Sequence, residues 1–195
     1  MVPLTDVVKN LLIINVLVYL TLNFFLPQFH LQPYFTLYPF GSEAFRPFQI
    51  VTSMFNHDPN GIGHLLFNMM ALYFIGPLME QSLGPKRFLF LYLSAGILSG
   101  IFQLFFSHGS AVGASGALYG VLISLALVYP NLKMMVFPIP FEIRAIVLAG
   151  IFIAWDLFSG LSNFSTGVAH FAHLGGAVMG AFLTYYWGLI NVNRR

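Results

Sequence analysis

Residues 113–130 read GASGALYGVLISLALVYP. After the opening Gly-Ala-Ser-Gly the run is apolar, carries no charged side chain, and closes on Tyr129-Pro130. From Ser115 to Pro130 it spans about 24 Å as an α-helix, at 1.5 Å per residue. A bilayer core is about 30 Å thick, so this helix is short for a membrane span. With its far end at one interface, Ser115 would start the helix below the opposite surface. The Gly113–Gly116 turn would then be irregular backbone at depth, which is tolerated only against protein or beside a water-filled cavity.

The rest of the chain fits that setting. Of 195 residues, 58% are hydrophobic and only 7% are Asp, Glu, Lys or Arg. Soluble domains carry about 25% charged residues, so the composition excludes that class and defines a polytopic membrane protein. Apolar stretches predict spans over 8–26, 62–80, 87–107, 115–130, 142–160 and 168–190. The expected fold is an all-α, six-transmembrane-helix bundle forming one domain, residues 1–195. It has a long membrane-associated first outer loop and a shortened fourth helix. The first stretch, from Leu11 to Phe25, lacks a small-x-small cleavage site and reads as a retained span. There is no cysteine, hence no disulfide, thiolate nucleophile or Cys-ligated metal.

Charge sets the orientation. With six crossings, Lys9, Lys86, Arg87, Lys133, Arg144, Arg194 and Arg195 fall on one side and only Arg46 on the other. The positive-inside rule then places both termini in the cytoplasm. These basic residues form no patch, so the basic balance does not point to nucleic acid. The loop 27–61 holds Phe29, Tyr34, Phe35, Phe40, Phe45 and Phe48. It is too apolar for a solvated loop and is expected to lie at the outer interface.

Polar side chains at membrane depth are costly and mark functional sites. His64 and Asn68 open span 2, Gly113, Ser115 and Gly116 open span 4, and His170, His173, Gly175 and Gly176 open span 6. All three spans run from outside to inside, so the clusters share one depth near the outer face. A serine hydroxyl needs an adjacent base, and His173 is the candidate. At a helix N-terminus the first-turn N–H groups suit a developing oxyanion at Ser115. His64 and Asn68, at i and i+4 on one face, are candidates for further donors. No carboxylate lies near His173 in the sequence, which predicts a Ser–His dyad rather than a triad. Gly116 and Gly120, with Gly176 and Gly180, are small-xxx-small pairs that let spans 4 and 6 approach closely.

These residues resemble the rhomboid family of intramembrane serine proteases. Gly113-Ala-Ser115-Gly116 is similar to the family's G-x-S-G nucleophile motif. Ala172-His173-Leu-Gly-Gly176 is similar to its A-H-x-x-G base motif, and His64-x-x-x-Asn68 to its H-x-x-x-N motif. Tyr119 matches a tyrosine that packs on the catalytic histidine, and Glu80 with Gly84 matches an E-x-x-x-G pattern. Phe45-Arg46 departs from the usual Trp-Arg, and residues 56–63 form a slightly longer approach to His64. The resemblance implies the basic six-span bacterial form in an inner membrane, its active site open to the outer side. It implies no cofactor, and substrates that are single-span membrane proteins cut near the outer face after a small residue.

Other readings of the same residues stand beside these. Ser115 among Gly and Ala also suits helix packing or an N-cap. His64 also suits an interfacial cap, Asn68 an interhelical hydrogen bond, and Tyr119 plain packing. His170 and His173 have the spacing of a metal pair, but an H-E-x-x-H helix and a carboxylate ligand are missing, so no metal site is expected. His30, His57 and His108 read as solvated loop residues, and Asp156 as a helix-end residue reaching the interface, with a proton-relay group as the lesser alternative. At the level of function, the alternatives are a catalytically silent rhomboid-like module that binds membrane proteins, and a small transporter. The first should lack the serine or histidine; the second should spread polar residues along a pathway.

Overall fold

The long apolar stretches become helices because nothing else satisfies backbone N–H and C=O groups where water is absent. A computed structural model describes residues 2–135, 141–162 and 168–190. Six long α-helices occur among them: α1 (Asp6–Leu20), α2 (Gly63–Leu83), α3 (Pro85–Phe106), α4 (Ser115–Val128), α5 (Ala145–Leu161) and α6 (His170–Tyr186). The helix α1 continues into one π-helical stretch, Thr21–Phe25. Among the described residues, two segments have both the length and the hydropathy of a membrane span, Asp6–Phe25 and Pro85–Phe106, while α4 and α5 are shorter apolar helices.

The element ends depart from the predicted spans where local chemistry intervenes. The α2 helix runs to Leu83 rather than 80 and stops where Gly84 takes a positive φ of 75°. Pro85 then starts α3 at its first position, where a missing N–H costs nothing. Residues 142–144, expected as helix, instead pair as a strand (β2, Glu142–Arg144) with β1 (Lys133–Met135) in an antiparallel hairpin. An exposed Lys133–Glu142 ion pair of 3.1 Å closes it. The last two basic residues of the charge count, Arg194 and Arg195, lie outside the described residues.

The centre of the bundle is α4, packed by α2, α3, α5 and α6. Eleven of its fourteen residues are buried, and it carries no charge, as a helix surrounded by apolar neighbours must. Backbone contact with α6 is possible because the crossing is lined with glycine. A Cβ at Gly180 would lie 2.7 Å from the Gly120 Cα, and one at Gly176 would lie 2.8 Å from the Gly116 carbonyl carbon. Real Cβ atoms do not come that close, so both positions require hydrogen. Gly116 and Gly120 are held to glycine first by α3, where a Cβ would meet Ser99 Cβ at 2.5 Å and collide with Ala95 Cβ, respectively. Further along the same seam, the Thr184 hydroxyl donates to Ser124 Oγ at 2.7 Å.

The long loop between α1 and α2 is folded on itself around Gln49. Its buried side-chain amide donates to the carbonyls of Pro33 and Ala44, both at 2.9 Å, and accepts from the Arg46 N–H at 3.0 Å. Leu37 and Ala111 exchange backbone hydrogen bonds of 3.0 and 2.9 Å. The loop thereby braces the turn just before Ser115. Its aromatic side chains face outward, with Phe29, Tyr34, Phe40 and Phe48 all exposed, as a loop seated in an interface would need.

On the opposite end, Glu80 of α2 caps α1. Its carboxylate accepts from the Thr5 hydroxyl at 2.5 Å and from the Val7 and Val8 N–H groups at 3.2 and 2.9 Å. An anion at a helix N-terminus satisfies orphan donors and the dipole together. Glu80→Ala is expected to cost about 3 kcal/mol, the scale for stranding buried partners of a charged acceptor. The measurement is the unfolding midpoint in detergent; a midpoint equal to wild type would show that α1 does not depend on this cap.

Candidate active site

Ser115 is the first residue of α4, and its placement begins with the turn before it. Gly113 has φ +121°, a conformation that L side chains rarely adopt. Its N–H donates to the Ser53 carbonyl at 2.9 Å, tying the turn to the loop. Ala114 then closes the first helical hydrogen bond, its carbonyl accepting from the Leu118 N–H at 3.0 Å. The first-turn amides of α4 have no intrahelical acceptor and remain as donors.

The glycine seam between α4 and α6 brings His173 to Ser115. The His173 Nε2 to Ser115 Oγ distance is 2.9 Å, across 58 residues of sequence. Tyr119, one turn after Ser115, stacks on the His173 ring with centroids 4.2 Å apart and planes 14° off parallel. That contact fixes the plane of the imidazole. His64 lies on the other side of the turn: a Cβ on Gly113 would sit 2.8 Å from His64 Cε1 and Nε2. The Asp58 N–H donates to His64 Nδ1 at 3.3 Å. With Nδ1 an acceptor, the neutral ring carries its proton on Nε2, beside the Gly113 turn. Asn68 is buried, and its amide donates to the His64 carbonyl at 2.8 Å, keeping one further N–H. A cavity of about 30 Å³ adjoins Ser115, lined in part by Ser53, Ser99, Gln103 and Gly113, enough for one water.

Two sequence expectations are overturned here. Asp156 is neither at the interface nor remote from His173. It is fully buried, with Oδ1 at 3.2 Å and Oδ2 at 3.3 Å from His173 Nδ1. Its Oδ1 is also 2.6 Å from His170 Nδ1. The expected pair without a carboxylate is therefore a cluster of Ser115, His173, Asp156 and His170. The reason is helical phase. The buried positions of α5 are Ala145, Leu148, Ala149, Asp156 and Ser159, a stripe at three- and four-residue spacing that faces the bundle. A carboxylate on the apolar stripe was the available signal. Proximity to a helix end concealed it.

The second correction is His57. Expected in solvent, it is fully buried and meets His64 edge-on at 5.2 Å. The neighbouring Asn56 draws this stretch inward, its amide donating to Gln32 Oε1 at 3.0 Å while its Oδ1 accepts from the His57 N–H. Burial, with the His64 ring adding to it, pushes the His57 imidazole from near 6.5 down to about 3. Folded protein thus keeps His57 neutral where unfolded chain takes up a proton. Its contribution to stability is complete above about pH 6.5 and is lost as pH falls toward about 3. Unfolding midpoints recorded across that window should fall less steeply for His57→Phe than for wild type; parallel curves would contradict the assignment. His30 and His108 are exposed, as expected.

A serine, an imidazole and a carboxylate in hydrogen-bonded series, inside a bundle of apolar helices, define a membrane protein with the groups of a serine hydrolase. The rhomboid domain model matches residues 44–189, and the chain belongs to the rhomboid family. That match contains every site residue described above. Among its relatives, mitochondrial rhomboid protein 1 of Saccharomyces cerevisiae is 33% identical over 70% of this chain. The rhomboid protease GluP of Bacillus subtilis is 35% identical over 66% of it. The mitochondrial presenilin-associated rhomboid-like protein A of Danio rerio is 29% identical over 82%. The matched regions cover 41%, 24% and 42% of those relatives' own lengths, so the chain corresponds to only part of each.

Proposed function

We propose that this chain is an intramembrane serine endopeptidase that cuts transmembrane segments of single-span membrane proteins. The observation that carries the reading is the 2.9 Å contact between Ser115 Oγ and His173 Nε2, with the imidazole clamped by Tyr119. In the same reading the single domain crosses the bilayer six times. Both termini lie on the side rich in Lys and Arg, the cytoplasmic side of a bacterial inner membrane. The site opens to the opposite side.

The chemistry follows from the donors and acceptors in place. Ser115 Oγ attacks the scissile carbonyl carbon as its proton passes to His173 Nε2. The carbonyl oxygen becomes an oxyanion, met by the first-turn amides of α4, the spare Asn68 N–H and the His64 Nε2–H. Collapse breaks the C–N bond, and His173 returns the proton to the leaving amine. Water from the small cavity beside Ser115 then gives its proton to His173 and attacks the acyl ester, releasing the new carboxyl terminus and restoring the serine. Every group needed is a side chain or amide of this chain, and the reaction requires no cofactor.

The half-buried serine suits such a role. It sits where a helix end meets loop backbone, reachable by an unwound peptide but set off from bulk water. The test is cleavage of a reporter with a single transmembrane segment in lipid vesicles, with fragments sized by mass spectrometry. Cleavage near the outer face, together with phosphonylation of Ser115 by a fluorophosphonate, is the expected outcome. Wild-type protein that neither cleaves nor labels would overturn it in favour of a silent binding module.

A further inference from the structure

Within that protease reading, we infer that Asp156 is a positioning residue that sets the tautomer of His173, and that His170 holds Asp156 in place for it. For His173 Nε2 to take the Ser115 proton, that nitrogen must begin as an acceptor. The ring's own proton must then be on Nδ1. The only described side chain within hydrogen-bond distance of Nδ1 is Asp156, at 3.2 and 3.3 Å through its two oxygens. An ionised carboxylate can only accept, so it holds the proton on Nδ1 and leaves Nε2 free to act. When the imidazole becomes an imidazolium, the same carboxylate lies against the new charge.

A buried carboxylate needs donors of its own. His170 supplies the shorter one, its Nδ1 standing 2.6 Å from Asp156 Oδ1. The two histidines are three residues apart on α6, so both rings reach from one helix face toward α5. The result is an ordered series: Ser115 on α4, His173 on α6, Asp156 on α5 and His170 back on α6. The titratable groups facing the carboxylate are His173 and His170 from α6 and Tyr119 from α4. His64 of α2 faces His173 from the other side. No Lys or Arg is among these groups, so the described cations do not substitute for the histidines as partners of Asp156.

The variant that separates positioning from scaffolding is Asp156→Asn, which keeps size and burial. Its amide can present N–H₂ to His173 Nδ1, which would move the ring proton to Nε2, the wrong nitrogen for a base. In the full chain in vesicles, kcat should fall about 100- to 10,000-fold, with KM within about threefold. Phosphonylation of Ser115 should slow in parallel. Asp156→Glu should recover at least a tenth of the wild-type rate. A folded Asp156→Asn variant that retains kcat within threefold would overturn the assignment. If that variant does not fold, the protonation state of His173 in wild type decides alone. Nitrogen-15 spectra of histidine-labelled wild type give a readout independent of catalysis: His173 should carry its proton on Nδ1. A wild type inert to reporter and label would sink the protease reading, while a proton found on His173 Nε2 would sink this one.

Discussion

Ser115→Ala should abolish cleavage of a membrane-embedded reporter, with a fall in kcat of up to about 10⁶-fold, while leaving the fold intact. The size follows from the chemistry. Removing one nucleophile oxygen leaves only the oxyanion donors and binding, and serine hydrolases stripped this way keep a residual rate far below the full enzyme. The fold should survive because alanine is a good residue at the start of a helix flanked by Gly113, Ala114 and Gly116, and because among the described residues the Ser115 hydroxyl hydrogen-bonds only to His173. His173→Ala should be as damaging, since the two act as one unit and their losses do not add. Cleavage assayed in vesicles, alongside circular dichroism and thermal unfolding of each variant, is the check. Activity persisting in a folded Ser115→Ala protein would move the nucleophile elsewhere and end the present mechanism.

Gly176→Val should be the most damaging change that touches no reacting group. A side chain at this position would collide with the Gly116 carbonyl, and its Cβ would lie 3.3 Å from the Gly116 Cα. Those atoms are helix backbone and cannot swing aside as a flexible side chain would. The α4 and α6 helices must separate, and overpacking of this kind costs about 1–3 kcal/mol or more. Separation also pulls apart Ser115 and His173, so activity should be lost even in protein that remains folded. Gly150→Ala is the matched control: nothing lies within 4 Å of its added methyl, and an exposed mid-helix glycine replaced by alanine should be neutral or stabilising. Unfolding midpoints and fluorophosphonate labelling of both variants test the pair. A Gly176→Val protein with wild-type midpoint and labelling would show that the seam is looser than its contacts imply.

Much of this is legible in the amino-acid sequence. The shortness of the run after Ser115, the glycines at 116, 120, 176 and 180, and the polar residues opening three apolar stretches are all local features of the chain. Each constrains its own helix directly, and together they assign Ser115 and His173 to one place. Tyr119 is legible only through the family resemblance, which implies a tyrosine packed on the histidine; its spacing alone equally suits plain packing. Residues 142–144 were misread because a short strand pair at a helix boundary leaves no period long enough to detect. Gln49, the centre of the first loop, was missed because its three partners are backbone groups that carry no sequence signal.

The amino-acid sequence by itself determined that this is a membrane protein of the rhomboid family, and which serine and histidine stand at helix ends. Hydropathy, helical spacing and glycine pairs act over one or a few turns, so the linear chain records them. Only the tertiary structure decided the company that His173 keeps. Asp156 lies 17 residues before it on another helix, and its meaning rests on the rotation of α5 about its own axis. A turn of about 100° per residue separates a carboxylate facing lipid from one facing an imidazole. His57 is the same case: burial rather than residue type silences its charge, and burial is a property of the packed bundle alone.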